Sequence, residues 1–152
     1  MRRLALAACI ALLAGTACSA PPPPERDPLG TTLAAAVSAA YGARAPVRLD
    51  AVASFAWDQF FAFKPKTSPA QIDEALGFTW AKNYSDQTDT YCLLVFVKAR
   101  AVARSFLYPR YQGDCTTLMR TGPFARAQAV FRVTSSGKTT GGQPFLQLHE
   151  AS

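Results

Sequence analysis

The chain has 152 residues, of which 49% are apolar and 17% charged, and its formal net charge is +6. Beyond a leader-like stretch of 17 residues, about 135 remain, one domain's worth, about 45% of them apolar. That balance excludes a collagen-like or disordered chain, and the length leaves no room for a second enzymatic domain. Without Arg2 and Arg3 the charge falls to 14 basic against 10 acidic side chains, too mild a surplus for the footprint of a nucleic-acid binder.

Met1 to Ala17 has the three parts of a secretory signal: Arg2 and Arg3, an apolar run from Leu4 to Ala14, and small residues leading to Cys18. The eleven-residue run is short of the roughly 20 residues that span a bilayer. Gly15-Thr16-Ala17-Cys18 resembles the lipobox of bacterial lipoproteins, with Gly15 where an aliphatic residue is usual. The resemblance implies that Cys18 becomes the acylated first residue, anchored in the membrane, and that Ser19 after it sorts the protein to the periplasmic face of the outer membrane. The alternative is ordinary cleavage after Ala17 or Ala20, giving a secreted or soluble periplasmic protein. Cutting after Ala20 would place Pro21 directly behind the scissile bond. Five prolines between Ala20 and Pro28 read as an extended tether. The expected organisation is a signal over 1–17, anchor and tether over 18–30, and one globular domain over 31–152.

Thr31 to Tyr41 reads as a short helix, capped by Thr31 or Thr32 and ended by Gly42, with Leu33, Val37 and Tyr41 on one face. Phe55, Trp57, Phe61 and Phe63 fall at alternate positions, so Val52 to Phe63 is expected as a strand with one aromatic face. That row could line an apolar pocket, but core packing is the simpler reading. Ser68-Pro69-Ala70-Gln71 is a capping box, and Ile72, Ala75 and Leu76 give the helix its stripe before Gly77 stops it. Phe78 to Thr90 is expected as a surface loop.

Tyr91 to Val97 is apolar on both faces, as a central strand would be. Lys98-Ala99-Arg100 turns the chain, and Ala101 to Tyr108 returns as a second strand. Asp114 caps a short helical turn toward Met119, and Gly122-Pro123 breaks it. Ala125 to Thr134 alternates as a strand, Ser135 to Gly142 as a loop, and Phe145 to Leu148 as a last strand. The expected fold is α+β: a four- to five-stranded, mostly antiparallel sheet with two short helices packed on one face.

Four cysteines are present. With Cys9 in the signal and Cys18 the acylation candidate, Cys92 and Cys115 remain, either as a disulfide or as two buried thiols. No Cys-x-x-Cys, Gly-x-Ser-x-Gly, phosphate-binding loop or dinucleotide motif occurs. His149 is the only histidine; a Cys115–His149 pair with Asp114 can be written as a nucleophile arrangement, but a disulfide at Cys115 would end it. Asp73 and Glu74 read as a solvated helix face. The sequence therefore implies no catalytic residues, cofactor or metal ligands. Basic residues cluster from Lys98 to Lys138, and Arg100, Arg104, Arg110, Arg126 and Arg132 are candidates for a basic face toward anionic lipid or an acidic partner, or are simply solvated strand positions.

Ser68 to Gly77, Trp80 and Leu93-Leu94-Val95-Phe96 together resemble small accessory lipoproteins of the outer-membrane β-barrel assembly machinery, which implies capped helices followed by an antiparallel sheet. The expectation is a non-enzymatic binding or assembly-support module tethered to the outer membrane. The rivals are a periplasmic inhibitor or small-ligand-binding protein, in the style of disulfide-bonded lysozyme-inhibitor lipoproteins, and a small hydrolase.

Overall fold

The computed structural model describes residues 27–82, 84, 88–139 and 141–151. The expected signal over 1–17, Cys18 and the expected tether up to residue 26 lie outside them. The elements are α1 (Pro28–Ala43), β1 (Val47–Arg48), α2 (Leu49–Val52), β2 (Gln59–Phe63), α3 (Pro69–Leu76), β3 (Tyr91–Lys98), β4 (Ala101–Pro109), β5 (Phe124–Ala125), β6 (Val130–Lys138) and β7 (Pro144–Glu150). The fold is α+β. Its strands form two antiparallel sheets, a four-stranded one in the order β4-β3-β2-β5 and a three-stranded one in the order β1-β6-β7.

β3 is central, as its two apolar faces required, and those faces build two cores. Leu94 and Phe96, with Phe60 and Ala62 of β2 and Phe106 and Tyr108 of β4, pack toward the second sheet and α1. There they meet Leu33 and Val37 of α1, Phe131 of β6, and Leu146 and Leu148 of β7. Leu93, Val95 and Val97 face the other way and join Phe61, Phe63, and Ile72 and Leu76 of α3. The two helices thus cover opposite faces of the four-stranded sheet, because a strand buried on both sides needs a cover on each. Phe96 is the aromatic hub, with ring centroids of Phe60, Trp57 and Phe55 at 5.0, 5.2 and 5.3 Å.

Local chemistry explains where several elements differ from the sequence reading. α1 starts at Pro28, not Thr31: the Asp27 carboxylate accepts from the Leu29 N–H at 2.8 Å, and a proline at the first helical position is preorganised for the helix. Thr31 and Thr32 lie inside it, and Arg44, left-handed at φ 53°, ends it rather than Gly42. The strand expected over 52–63 is shorter. α2 ends at Val52, residues 53–58 are irregular, and only Gln59–Phe63 pairs. Phe55 and Trp57 pack in the inter-sheet core while Phe61 and Phe63 occupy the other, so the aromatic row belongs to no single face.

The strand expected from Ala125 begins at Val130 instead. A 3₁₀ turn at Arg126–Gln128 separates it from β5 and leaves Ala127 exposed. β6 then runs on to Lys138, through what read as a loop, with Gly137 at φ 136° where the register with β7 shifts.

The β3–β4 hairpin turns through Ala99 at φ 46° and Arg100 at φ 62°, a geometry that glycine and asparagine usually supply. Here Asp58, forty residues upstream, holds it. Its carboxylate accepts from Lys98 Nζ at 2.7 Å and from the Ala99 N–H at 3.0 Å. The capping box of α3 forms as the sequence implies: the Gln71 N–H donates to Ser68 Oγ, the Ser68 N–H donates back to Gln71 Oε1, and Gly77 ends the helix at φ 74°.

Cys92 and Cys115 are disulfide-bonded, with Cα atoms 6.2 Å apart, closing a span of 23 residues. Replacing both by alanine is expected to lower stability by about 3 kcal/mol, read as a drop in the urea midpoint with a steeper slope, since the unbridged unfolded chain expands further. Ser68→Ala should lose about 1 kcal/mol in the same measurement.

Candidate functional site

Only one fully buried polar residue is found among the described residues, Asp114, 3% exposed. It sits where the 110–118 segment crosses from the end of β4 to the edge of β7. The Arg110 guanidinium donates to both of its oxygens, at 2.9 and 2.8 Å, and the Thr116 N–H donates at 3.0 Å. Its main chain pairs with β7: the Asp114 N–H donates to Leu146 O and its carbonyl accepts from the Leu148 N–H. Burial pushes the Asp114 carboxyl up, but the Arg110 and Thr116 hydrogen bonds and the guanidinium charge outweigh it and hold the group below its ordinary value. Beside it Tyr108 is wholly buried; desolvation drives its phenol well above the usual range, and its hydroxyl donates to Gln112 O at 3.0 Å.

This cluster is a structural clasp. The Cys115 sulfur is committed to the disulfide and Asp114 to Arg110, so the Cys115–His149–Asp114 nucleophile arrangement does not exist. His149 lies on β7 with its Nε2 2.8 Å from the Thr134 hydroxyl. Asp73, which read as solvated, caps the loop after α3 by accepting from the Trp80 and Ala81 N–H groups at 2.8 and 2.7 Å; Glu74 is exposed.

The arginines singled out from the sequence lie at separate stations. Arg104 makes a bidentate pair with Asp27, tying β4 to the start of α1. Arg110 serves Asp114, and Arg126 lies over the Trp57 ring at 5.1 Å while donating to Phe55 O. Arg100, in the hairpin turn, donates to Gly77 O at the end of α3, and Arg132 is an exposed position of β6.

A groove of about 620 Å³ lies between the first two turns of α1 and the second half of β4. Thr31 and Ala34 form its helical wall, Ser105 and Leu107 its strand wall, and Tyr91, Pro109 and Tyr111 close one end. Tyr111 is 42% exposed, one of few large apolar side chains so placed. β4 is the outer strand of its sheet, and among the described residues none of its backbone groups bonds to backbone other than that of β3. A nine-residue strand paired on one side leaves alternate N–H and C=O groups facing outward.

Nothing local in the sequence marks this groove, because its walls lie seventy residues apart along the chain. Its nearest signal is Tyr111 in an otherwise polar stretch. Fold and site together define a class: a disulfide-clasped α+β domain of two sheets with an open strand edge under a helix. No protein-family model, curated protein or solved structure matches the chain.

Asp114→Asn should destabilise the fold by about 2 kcal/mol at neutral pH, because it leaves Arg110 without its charge partner. The wild-type contribution is present above the ordinary carboxylate value of 3.8 and is lost as the pH falls through the lower folded value. The two unfolding curves, measured from pH 7 to pH 2, are therefore expected to converge at the acid end.

Proposed function

We propose that the chain is an envelope lipoprotein, anchored through acylated Cys18 at the periplasmic face of the outer membrane, whose folded domain is a non-enzymatic binding or assembly-support module. The observation that carries this reading is the spacing at the N-terminus. An apolar run and small residues lead to Cys18, and only residues 19–26 separate it from Asp27, the cap of α1. At about 3.1 Å per residue in a proline-rich segment, that span holds the domain within roughly 25 Å of the bilayer surface. The Cys92–Cys115 bond supports it, since structural disulfides persist in oxidising compartments such as the periplasm.

Arg100 and Arg132, the exposed members of the basic set, would meet anionic lipid headgroups or an acidic partner. Arg104, Arg110 and Arg126 would contribute charge while holding their internal partners.

The test is purification of the full-length, detergent-solubilised protein from its own cell envelope beside a Cys18→Ala version, after growth with labelled fatty acid. The expected result is label on the wild type alone and a stoichiometric partner that accompanies only the labelled form. Absence of label would overturn the anchor, and an empty eluate from a labelled protein would overturn the assembly role.

A further inference from the structure

We propose that the groove between α1 and β4 is the docking site for the proline-rich segment Pro21–Pro24 of this same chain. The inference does not rest on acylation, because cleavage at either candidate position leaves those prolines in place. Three observations converge on this occupant.

First, the segment enters at the groove. Asp27 and Pro28, the residues that follow it, are part of the groove's rim. Asp27 is fixed there, its carboxylate both capping α1 and gripping Arg104. A segment so tethered has an effective concentration in the millimolar range, enough to fill a site too weak to hold a free peptide.

Second, the chemistry matches. Polyproline segments dock in grooves lined by aromatic rings, because the preformed helix loses little entropy on binding. Tyr91, Tyr111, Phe106 and Pro109 supply such a lining. Prolines carry carbonyl acceptors and no N–H donors, and the outer edge of β4 presents N–H groups that, among the described residues, no neighbouring backbone receives.

Third, the reach fits. α1 runs from the Arg104 end of the groove toward Tyr111, and Pro28 to Ala34 rises about 9 Å along it. A polyproline chain doubling back from Asp27 covers about 9 to 15 Å by Pro24 to Pro22, which sets the prolines against Tyr111 and Tyr91. A second copy of the domain would have to find the groove from solution, without the tether that holds these prolines beside it.

The test is hydrogen exchange of the full-length, detergent-solubilised protein, read by mass spectrometry over residues 101–109. It is compared with a quadruple variant (Pro21→Ser, Pro22→Ser, Pro23→Ser, Pro24→Ser) and with Tyr111→Ala. Both variants are expected to exchange the outward β4 amides roughly threefold faster or more, with β3 unchanged. The peptide Pro-Pro-Pro-Pro-Glu-Arg at millimolar concentration should restore protection to the quadruple variant and not to Tyr111→Ala. Equal exchange in the wild type and the quadruple variant would overturn the proposal. So would protection that persists in the quadruple variant and grows with protein concentration, which assigns the edge to a second copy.

Discussion

Everything in the fold leans on the segment from Arg110 to Leu118, which is fastened to both sheets at once. Cys115 bonds covalently to Cys92 on β3, in the middle of the four-stranded sheet. One residue earlier, the Asp114 backbone is hydrogen-bonded into the edge of β7, and the Thr117 hydroxyl donates to the Leu148 carbonyl. The disulfide contributes about 3 kcal/mol and each satisfied hydrogen bond about 1. The geometry they enforce counts for more. With the sheets held at packing distance, the rings around Phe96 meet Phe131, Leu146 and Leu148 in one core, and neither a three- nor a four-stranded sheet could shield such a face alone.

That clasp also explains why a charged pair is tolerated at the centre of the junction. Asp114 is buried because its backbone must reach β7, and Arg110 lies at the mouth, with 26% of its side chain exposed. One partner therefore keeps contact with water, which limits the desolvation penalty that a fully interred pair would carry. Arg110 in turn donates to the Asp89 carbonyl through its guanidinium and to the Thr90 carbonyl through its backbone N–H, fixing the approach to β3.

The fold was legible where information is local. Ser68, Pro69, Gln71 and Gly77 carry the α3 ends within ten residues, and the apolar run of β3 declares a strand covered on both sides. Cysteine parity left Cys92 and Cys115 as the pair to test. Legibility failed where a pattern was shared between elements. The alternation of Phe55, Trp57, Phe61 and Phe63 arises partly from irregular chain, and it hid Phe60, which belongs with Trp57. Pro28 read as the end of a tether because prolines precede it, although proline also opens helices. The hairpin at Ala99–Arg100 has no turn signature of its own because Asp58 supplies the support from afar. The basic cluster was counted along the chain, whereas its members are parted by the folds of two sheets. The α1–β4 groove had no signal, since a concavity between distant segments belongs to neither.

β1 adds a different consequence. This two-residue strand joins the three-stranded sheet by pairing Val47 with Phe131 and Arg48 with Val130, so the first part of the domain completes its sheet only with a partner more than eighty residues downstream. Such sequence-distant pairing raises contact order and slows folding toward the millisecond-to-second range. Were the chain exported as proposed, slowness of this kind would be useful, because it would keep the polypeptide unfolded during passage and let the oxidation of Cys92 and Cys115 coincide with assembly of the core.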